Sequence, residues 1–221
     1  MGKIKAYIIV AACAIFLICM HKSFQDGIEY DRASKKIEKT MAARTISLED
    51  RYQNKFVNDV FKDNILLTLH YMQGDVSKKN AVNWPAVEKP FQFDLTLKPN
   101  TVFAFHNLVL PQYKGQVAKT PGLQFNGQEG FKSDGFLMGD GVCHLASLIN
   151  WVARDAGLEV VAPVNHDFAH IPEVPRQYGT SIYTSDPSQN LYIKNNQNKP
   201  IFLTFKFDGK NLTVAVGKKA S

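Results

Sequence analysis

The feature that most restricts this chain is a charge-free run near its start, Ala6 to Met20 (AYIIVAACAIFLICM), preceded by Lys3 and Lys5. A segment apolar on all sides has no polar face to turn to water, so it belongs in a membrane or an export signal rather than on a protein surface. Counted from Ile4, with Lys5 reaching back to the interface, it attains the lower limit of about 17 residues for crossing the hydrocarbon layer. The small-residue pattern that favours cleavage is missing where the chain continues with Met20, His21, Lys22 and Ser23. The expectation is an uncleaved signal anchor over residues 1–22, with the N-terminus cytoplasmic and the rest outside. Val10, Ala11, Ala12 and Cys13 resemble a lipoprotein cleavage box, but too short an apolar stretch precedes it.

The remainder reads as one water-soluble domain with an appendage. The chain has 221 residues, of which 45% are hydrophobic and 21% charged, an ordinary globular balance. The net charge of +6 favours anionic neighbours. The basic residues are scattered rather than gathered into a stripe with interleaved aromatics, which argues against nucleic acid.

Between Asp26 and Tyr71 there is no proline, and Tyr52, Phe56 and Val60, with Val57 and Phe61 beside them, recur at helical spacing. We expect a helical stalk and linker over residues 23–89, solvated before Leu48 and packed after it, with Pro85 and Pro90 closing it. The folded domain is expected over residues 90–217. Phe91, Phe93, Leu95 and Leu97 alternate with polar residues as a half-buried strand does. Ile201, Leu203, Phe205 and Phe207, a turn at Asp208 and Gly209, then Leu212, Val214 and Val216 predict a C-terminal β-hairpin. Leu145, Leu148, Ile149, Val152 and Ala156 predict an amphipathic helix that Gly157 ends. The fold class is therefore α+β, a central helix on a mostly antiparallel sheet.

Of three cysteines, Cys13 and Cys19 lie in the apolar run, which leaves Cys143 alone in the exported part. A lone thiol outside the cytoplasm must be buried or used. Its place at a helix start, after Gly139, Asp140 and Gly141, offers unpaired N–H groups to a thiolate or an oxyanion and close approach to a substrate. The alternative is a small buried hydrophobe. A cysteine nucleophile needs a base, and His144, His166 and His170 are the candidates. His144 adjoins Cys143 on the helix and points elsewhere. A helix led by the nucleophile and then a strand with histidine resembles the chain order of papain-like and NlpC-like cysteine hydrolases, which makes His166 the better candidate base. A zinc site using Cys143, His166 and His170 would want the two histidines on one helix face, which Pro163, Pro172 and Pro175 disfavour. No metal or cofactor is expected.

From about Leu97 to Gly217 the chain resembles the VanW-like family, named for an accessory protein found with glycopeptide-resistance genes. The resemblance rests on LKPNTVFAFHNLV, on QEGFKSDGFLMGDGVCHLAS, on AGLEVVAPVNHDFAHIPEVP and on NLYIKNNQNKPIFLTFKFDGKNLTVAV. It places Cys143 on the family's cysteine, Gly139 and Gly141 on its glycine run, Ser147 on a hydroxyl position and His166 on its histidine. Three residues depart from the pattern: His144 stands for glutamine, Asp140 interrupts the glycines, and Gly179 replaces the aspartate of a DATV element. The last removes a natural third member of a catalytic triad, leaving Asp167, Asn165, Asp186 or Asn195. The resemblance implies a cell-envelope role with peptidoglycan or its precursors as partner. Two functions follow as expectations. One is a cysteine-dependent amidase, peptidase or transpeptidase in which Cys143 attacks and His166 moves the proton, with Gly139, Gly141, His144 and Ser147 around the substrate. The other is a non-catalytic module that holds wall peptide or a membrane partner in the same groove.

Overall fold

A computed structural model describes residues 39–77, 81–136 and 139–218. The run Ala6–Met20 and Cys13 lie outside the described residues, and so does the stalk before Lys39. Among the described residues no helix is long and apolar enough to cross a membrane.

The elements are strand β1 (Lys39–Ser47), helix α1 (Lys55–Gln73), a short helix α2 (Trp84–Val87), strands β2 (Phe91–Leu97), β3 (Val102–Ala104) and β4 (Val117–Lys119), helix α3 (Val142–Asp155), and strands β5 (Glu159–Val161), β6 (Tyr192–Lys194), β7 (Ile201–Phe207) and β8 (Asn211–Lys218). The first sheet is antiparallel in the order β1-β8-β7-β2; the second runs β4-β3-β6-β5, with β3 and β4 parallel. The chain is α+β, as the alternations predict.

Register follows from burial on one face of the first sheet. Phe93 faces Phe205, Leu95 faces Leu203 and Leu97 faces Ile201, and Phe205 in turn faces Val214 on β8. A one-residue slip would turn this whole set to the other face. Helix α3 lies on the same face, burying Leu145, Leu148, Ile149 and Val152. Gly157 (φ +73°) ends it in the left-handed region. Asp208 accepts from the N–H groups of Lys210 and Asn211, which closes the turn between β7 and β8.

Residues 39–47 differ from the helical stalk expected there. They form β1, an edge strand that pairs with β8 along its length. Ile46 is buried, and Arg44 ion-pairs with Asp155 and stacks over Trp151 of α3. The local sequence KTMAARTIS gave no strong period, because an edge strand with one buried residue needs little apolar alternation. From Lys55 the helical expectation holds. Asn54 caps α1 by accepting from Phe56 N–H, and Gly74 (φ +93°) closes it. Packing therefore begins well before residue 90.

Helix α1 also fixes the approach to α3. The Asn64 carboxamide, fully buried, donates to the carbonyls of Lys132 and Asp140 and accepts from Lys132 N–H. Three hydrogen bonds from one side chain thus tie the glycine-containing loop to the helix, each replacing a water that burial excludes.

Candidate functional site

The start of α3 is built on glycine. Gly141 caps the helix at φ +95°, and a Cβ there would stand 2.6 Å from the Phe61 carbonyl oxygen of α1. Gly139 (φ +81°) is held similarly against Phe125, whose carbonyl oxygen would lie 3.2 Å from a Cβ. Both glycines therefore permit α3 to press on neighbouring backbone, a packing role.

Cys143 follows on the first turn. Its Sγ accepts from Ile182 N–H at 3.4 Å, and the thiol donates to Ile182 O at 4.0 Å. Burial pushes its pKa up to about 11, more than the Ile182 N–H lowers it. One turn on, Ser147 Oγ donates to Cys143 O (2.7 Å) and accepts from Thr180 N–H (2.8 Å). Beyond it, Asn150 Nδ2 donates to Tyr178 O and to Thr180 Oγ1, both at 3.0 Å. Residues 143, 147 and 150 share one face of a helix. They form a polar ladder that straps the segment 178–182 to α3.

His144 points the other way. Its ring is buried among Arg51, Tyr52, Phe61 and His166. Arginine can only donate, so Nδ1 of His144 accepts from Arg51 Nη1–H (3.4 Å), and Nε2–H is left to donate to Tyr52 OH (3.5 Å). Burial first, then the Arg51 charge, holds its pKa well below 6.5. Arg51 also donates to Pro172 O (2.9 Å) and pairs through Nε with Glu173 at 3.5 Å. It thereby links the chain before α1 to the loop carrying His166.

His166 donates from Nδ1–H to Ala169 O at 3.1 Å, and its ring lies 3.9 Å from that of Phe168. A carbonyl can only accept, so in the neutral ring Nε2 is an acceptor. Burial lowers the pKa of His166, which favours this neutral form. The ring lines a cleft of about 210 Å3 together with Phe168, His170, Ile171, Arg176 and Gly179. A Cβ at Gly179 would stand 2.7 Å from Asn165 Oδ1. That oxygen is buried without a hydrogen bond, while Nδ2 of the same side chain donates to Arg176 O.

The predicted residues thus fall into three places. His166 lines the cleft; His144 touches its ring from behind at a centroid distance of 6.1 Å. Gly139, Gly141, Cys143 and Ser147 lie outside the cleft lining. Among the described residues no hydrogen bond joins Cys143 to His166, whose thiol and ring bond to Ile182 and Ala169 instead. None of Asn165, Asp167, Asp186 and Asn195 is bonded to His166. Asp167 pairs with Arg176 (3.2 Å), Asp186 accepts from Ser188, and Asn195 donates to Leu97 and Lys199 carbonyls. Also among the described residues, no group of three or more histidine, cysteine or acidic side chains could hold a metal ion. Sequence reasoning passed over Arg51 and Ile182. One sits in a presumed stalk and the other bonds through its backbone, which no side-chain motif reports.

A family model described as VanW like protein matches residues 93–217, more than half of the chain. The match spans the cleft, α3 and the β7-β8 hairpin, and it begins after β1, α1 and Arg51. No curated protein and no solved structure matches.

Proposed function

This chain belongs to the VanW-like family, and we propose that its domain is a cell-envelope recognition module that holds wall peptide in the cleft beside His166. The N-terminal run, with Lys3 and Lys5 before it, serves in this reading as the bilayer anchor. The observation that carries the reading is the state of Cys143. Its sulfur is engaged on both sides by the Ile182 backbone, has no histidine partner among the described residues, and sits in surroundings that push its pKa up to about 11. A nucleophile needs the opposite, a depressed pKa or an adjacent base. The neighbouring Ser147 and Asn150 continue the same contacts with the segment 178–182, so the thiol fits a structural ladder. The cleft, by contrast, offers hydrogen-bonding groups, an aromatic ring and an apolar wall, which suits binding.

Alkylation decides between this and a cysteine hydrolase. Raising a thiol from 9.0 to about 11 leaves about a hundredfold less thiolate at neutral pH, and the thiolate is the reacting form. The native full chain is treated with iodoacetamide at pH 7, and modification is followed at the Cys143 peptide by mass spectrometry. The expected rate is at least a hundredfold below that of free cysteine. A rate equal to or above it overturns the recognition reading and returns Cys143 to the role of nucleophile.

A further inference from the structure

The wall of the His166 cleft is held from outside the cleft. Within the run 166–176 every residue lines it except Pro172 and Glu173. Those two are gripped by the end of β1 and the connection to α1. Arg51 donates from Nη2 to Pro172 O (2.9 Å), its Nε faces Glu173 Oε1 at 3.5 Å, and Ser47 N–H donates to Glu173 Oε2 at 3.3 Å. Glu173 stands at φ +70°, a conformation that a residue with a side chain keeps only where its surroundings impose it. Without the grip nothing imposes it, and Ile171 and Val174, which line the cleft on either side, lose their fixed spacing.

The grip depends on a neutral histidine. The Arg51 side chain is 2% exposed, so its guanidinium must find acceptors inside the protein. It has the Pro172 carbonyl, Nδ1 of His144 at 3.4 Å, and Glu173, whose carboxylate is nearly half exposed. The Glu173 contact is an ion pair that leaves the buried Nε without a hydrogen bond. A proton on Nδ1 of His144 would remove one acceptor and set a second cation against the guanidinium. Facing the His144 ring are Arg51 and Tyr52 from before α1, the uncharged Phe61 from α1, and His166 from the loop, with the charge of His170 also reaching it. Asp134 and Asp140 act on Tyr52. Acid therefore gathers positive charge around a buried arginine whose counter-ion, Glu173, is shared with solvent.

We propose that Arg51, His144 and Glu173 form an acid-released clamp on the wall of the His166 cleft, which is fixed while His144 is neutral and comes free when His144 takes a proton. The clamp goes beyond the recognition reading and does not depend on what the cleft holds. Burial and the Arg51 charge keep the folded His144 pKa well below 6.5, whereas in the opened loop the ring returns towards its ordinary value. The folded value is the lowered one, so the advantage of the closed state is complete above pH 6.5 and is lost as the pH falls below it. The β7-β8 hairpin contains no histidine, which keeps the release local.

Amide hydrogen exchange on the full chain in mild detergent reads the clamp at Ser47, whose N–H is bonded to Glu173, and at Val174, whose N–H is bonded to Ile171 O. Rates are converted to protection factors, which removes the intrinsic pH dependence of exchange. Protection at both amides is expected to be nearly constant above pH 7 and to fall by at least about fivefold between pH 7.5 and 5.5, while Val214 on β8 keeps its protection. His144→Gln keeps an acceptor for Arg51 and cannot titrate, so most of that fall should vanish. Glu173→Gln should lower protection at both amides already at pH 7.5. Constant protection in the unaltered chain, a fall shared by Val214, a fall of full size in His144→Gln, or unchanged protection in Glu173→Gln each overturns the clamp. Should a variant fail to fold, the profile of the unaltered chain and its comparison with Val214 decide. All of these outcomes leave wall-peptide recognition standing, because no ligand is present.

Discussion

The sheet β1-β8-β7-β2 and the loop layer from Pro163 to Asn190 are held by different forces, although both pack on α3. In the sheet, β7 buries Ile201, Leu203 and Phe205 with no exposure, each opposite another apolar side chain on β2 or β8. Its order comes from apolar area removed from water, about 25 cal/mol per Å2. The loop layer contains only a short 3-10 turn at Arg176–Tyr178. There polar side chains bond to backbone: Ser147 to Thr180, Asn150 to Tyr178, His166 to Ala169, and Asn190 to His106 and Leu108. A framework held by burial resists local opening. One held by single hydrogen bonds can open segment by segment, which suits a region that admits a ligand.

The largest expected effect tests the first half of that contrast. Phe205 is fully buried, stacked on Phe93 at 5.1 Å and opposite Val214. Phe205→Ala is expected to destabilise the protein by about 3–5 kcal/mol, the transfer term plus the cavity left behind. Urea denaturation followed by circular dichroism gives the value. A loss below about 1 kcal/mol would mean that the sheet is not the framework.

An intermediate effect tests the second half. Ser147→Ala removes the acceptor for Thr180 N–H, in a residue with no exposure, and is expected to cost about 1–2 kcal/mol. The cost should be local. Amide hydrogen exchange at Thr180 and Ile182 is expected to speed up while Val214 on β8 stays protected. Equal acceleration at both places would show that the loop layer and the sheet open as one unit, and the contrast would fail.

The same contrast explains what the sequence disclosed. Burial on one face writes a period of two, so β2 and the β7-β8 hairpin were readable from Phe91 to Leu97 and from Ile201 to Val216. The helix α3 was readable from Leu145, Leu148, Ile149 and Val152, and its start near Cys143 from the glycines. In β1, Ile46 alone is buried, and the period was lost. The loop layer is specified by individual hydrogen bonds, and no periodic pattern announces that Ser147 meets Thr180 across 33 residues. The residues of the candidate site were visible as types. Which of them meet was not: Cys143 lies on Ile182 and His166 on Ala169, because the partner in each case is a backbone group. Arg51 was hidden for a further reason, since it enters from a segment outside the span that resembles the family.

The smallest expected effect concerns the junction where the two regions meet, the buried contact of His144 with Arg51. The contact requires a neutral ring, because a proton on Nδ1 would confront the Arg51 guanidinium. Burial and that charge keep the folded pKa well below 6.5, while the unfolded chain titrates near 6.5. In the interval between the two values the unfolded state binds the extra proton, so stability rises with pH there and is flat above it. Each such group contributes a slope of at most about 1.4 kcal/mol per pH unit, hence less than about 1 kcal/mol between pH 6.5 and 6. His106 and His166, also lowered by burial, act in the same direction. Glutamine keeps an acceptor for Arg51 and cannot titrate. His144→Gln is therefore expected to be somewhat less stable than the unaltered chain at pH 7.5, by about 1 kcal/mol for one altered buried hydrogen bond. The gap should narrow as the pH falls to 5.5, measured by thermal unfolding across that range. Parallel pH profiles for the two proteins would mean that the histidine is not held neutral by the arginine, and the junction between sheet and loop layer would need another explanation.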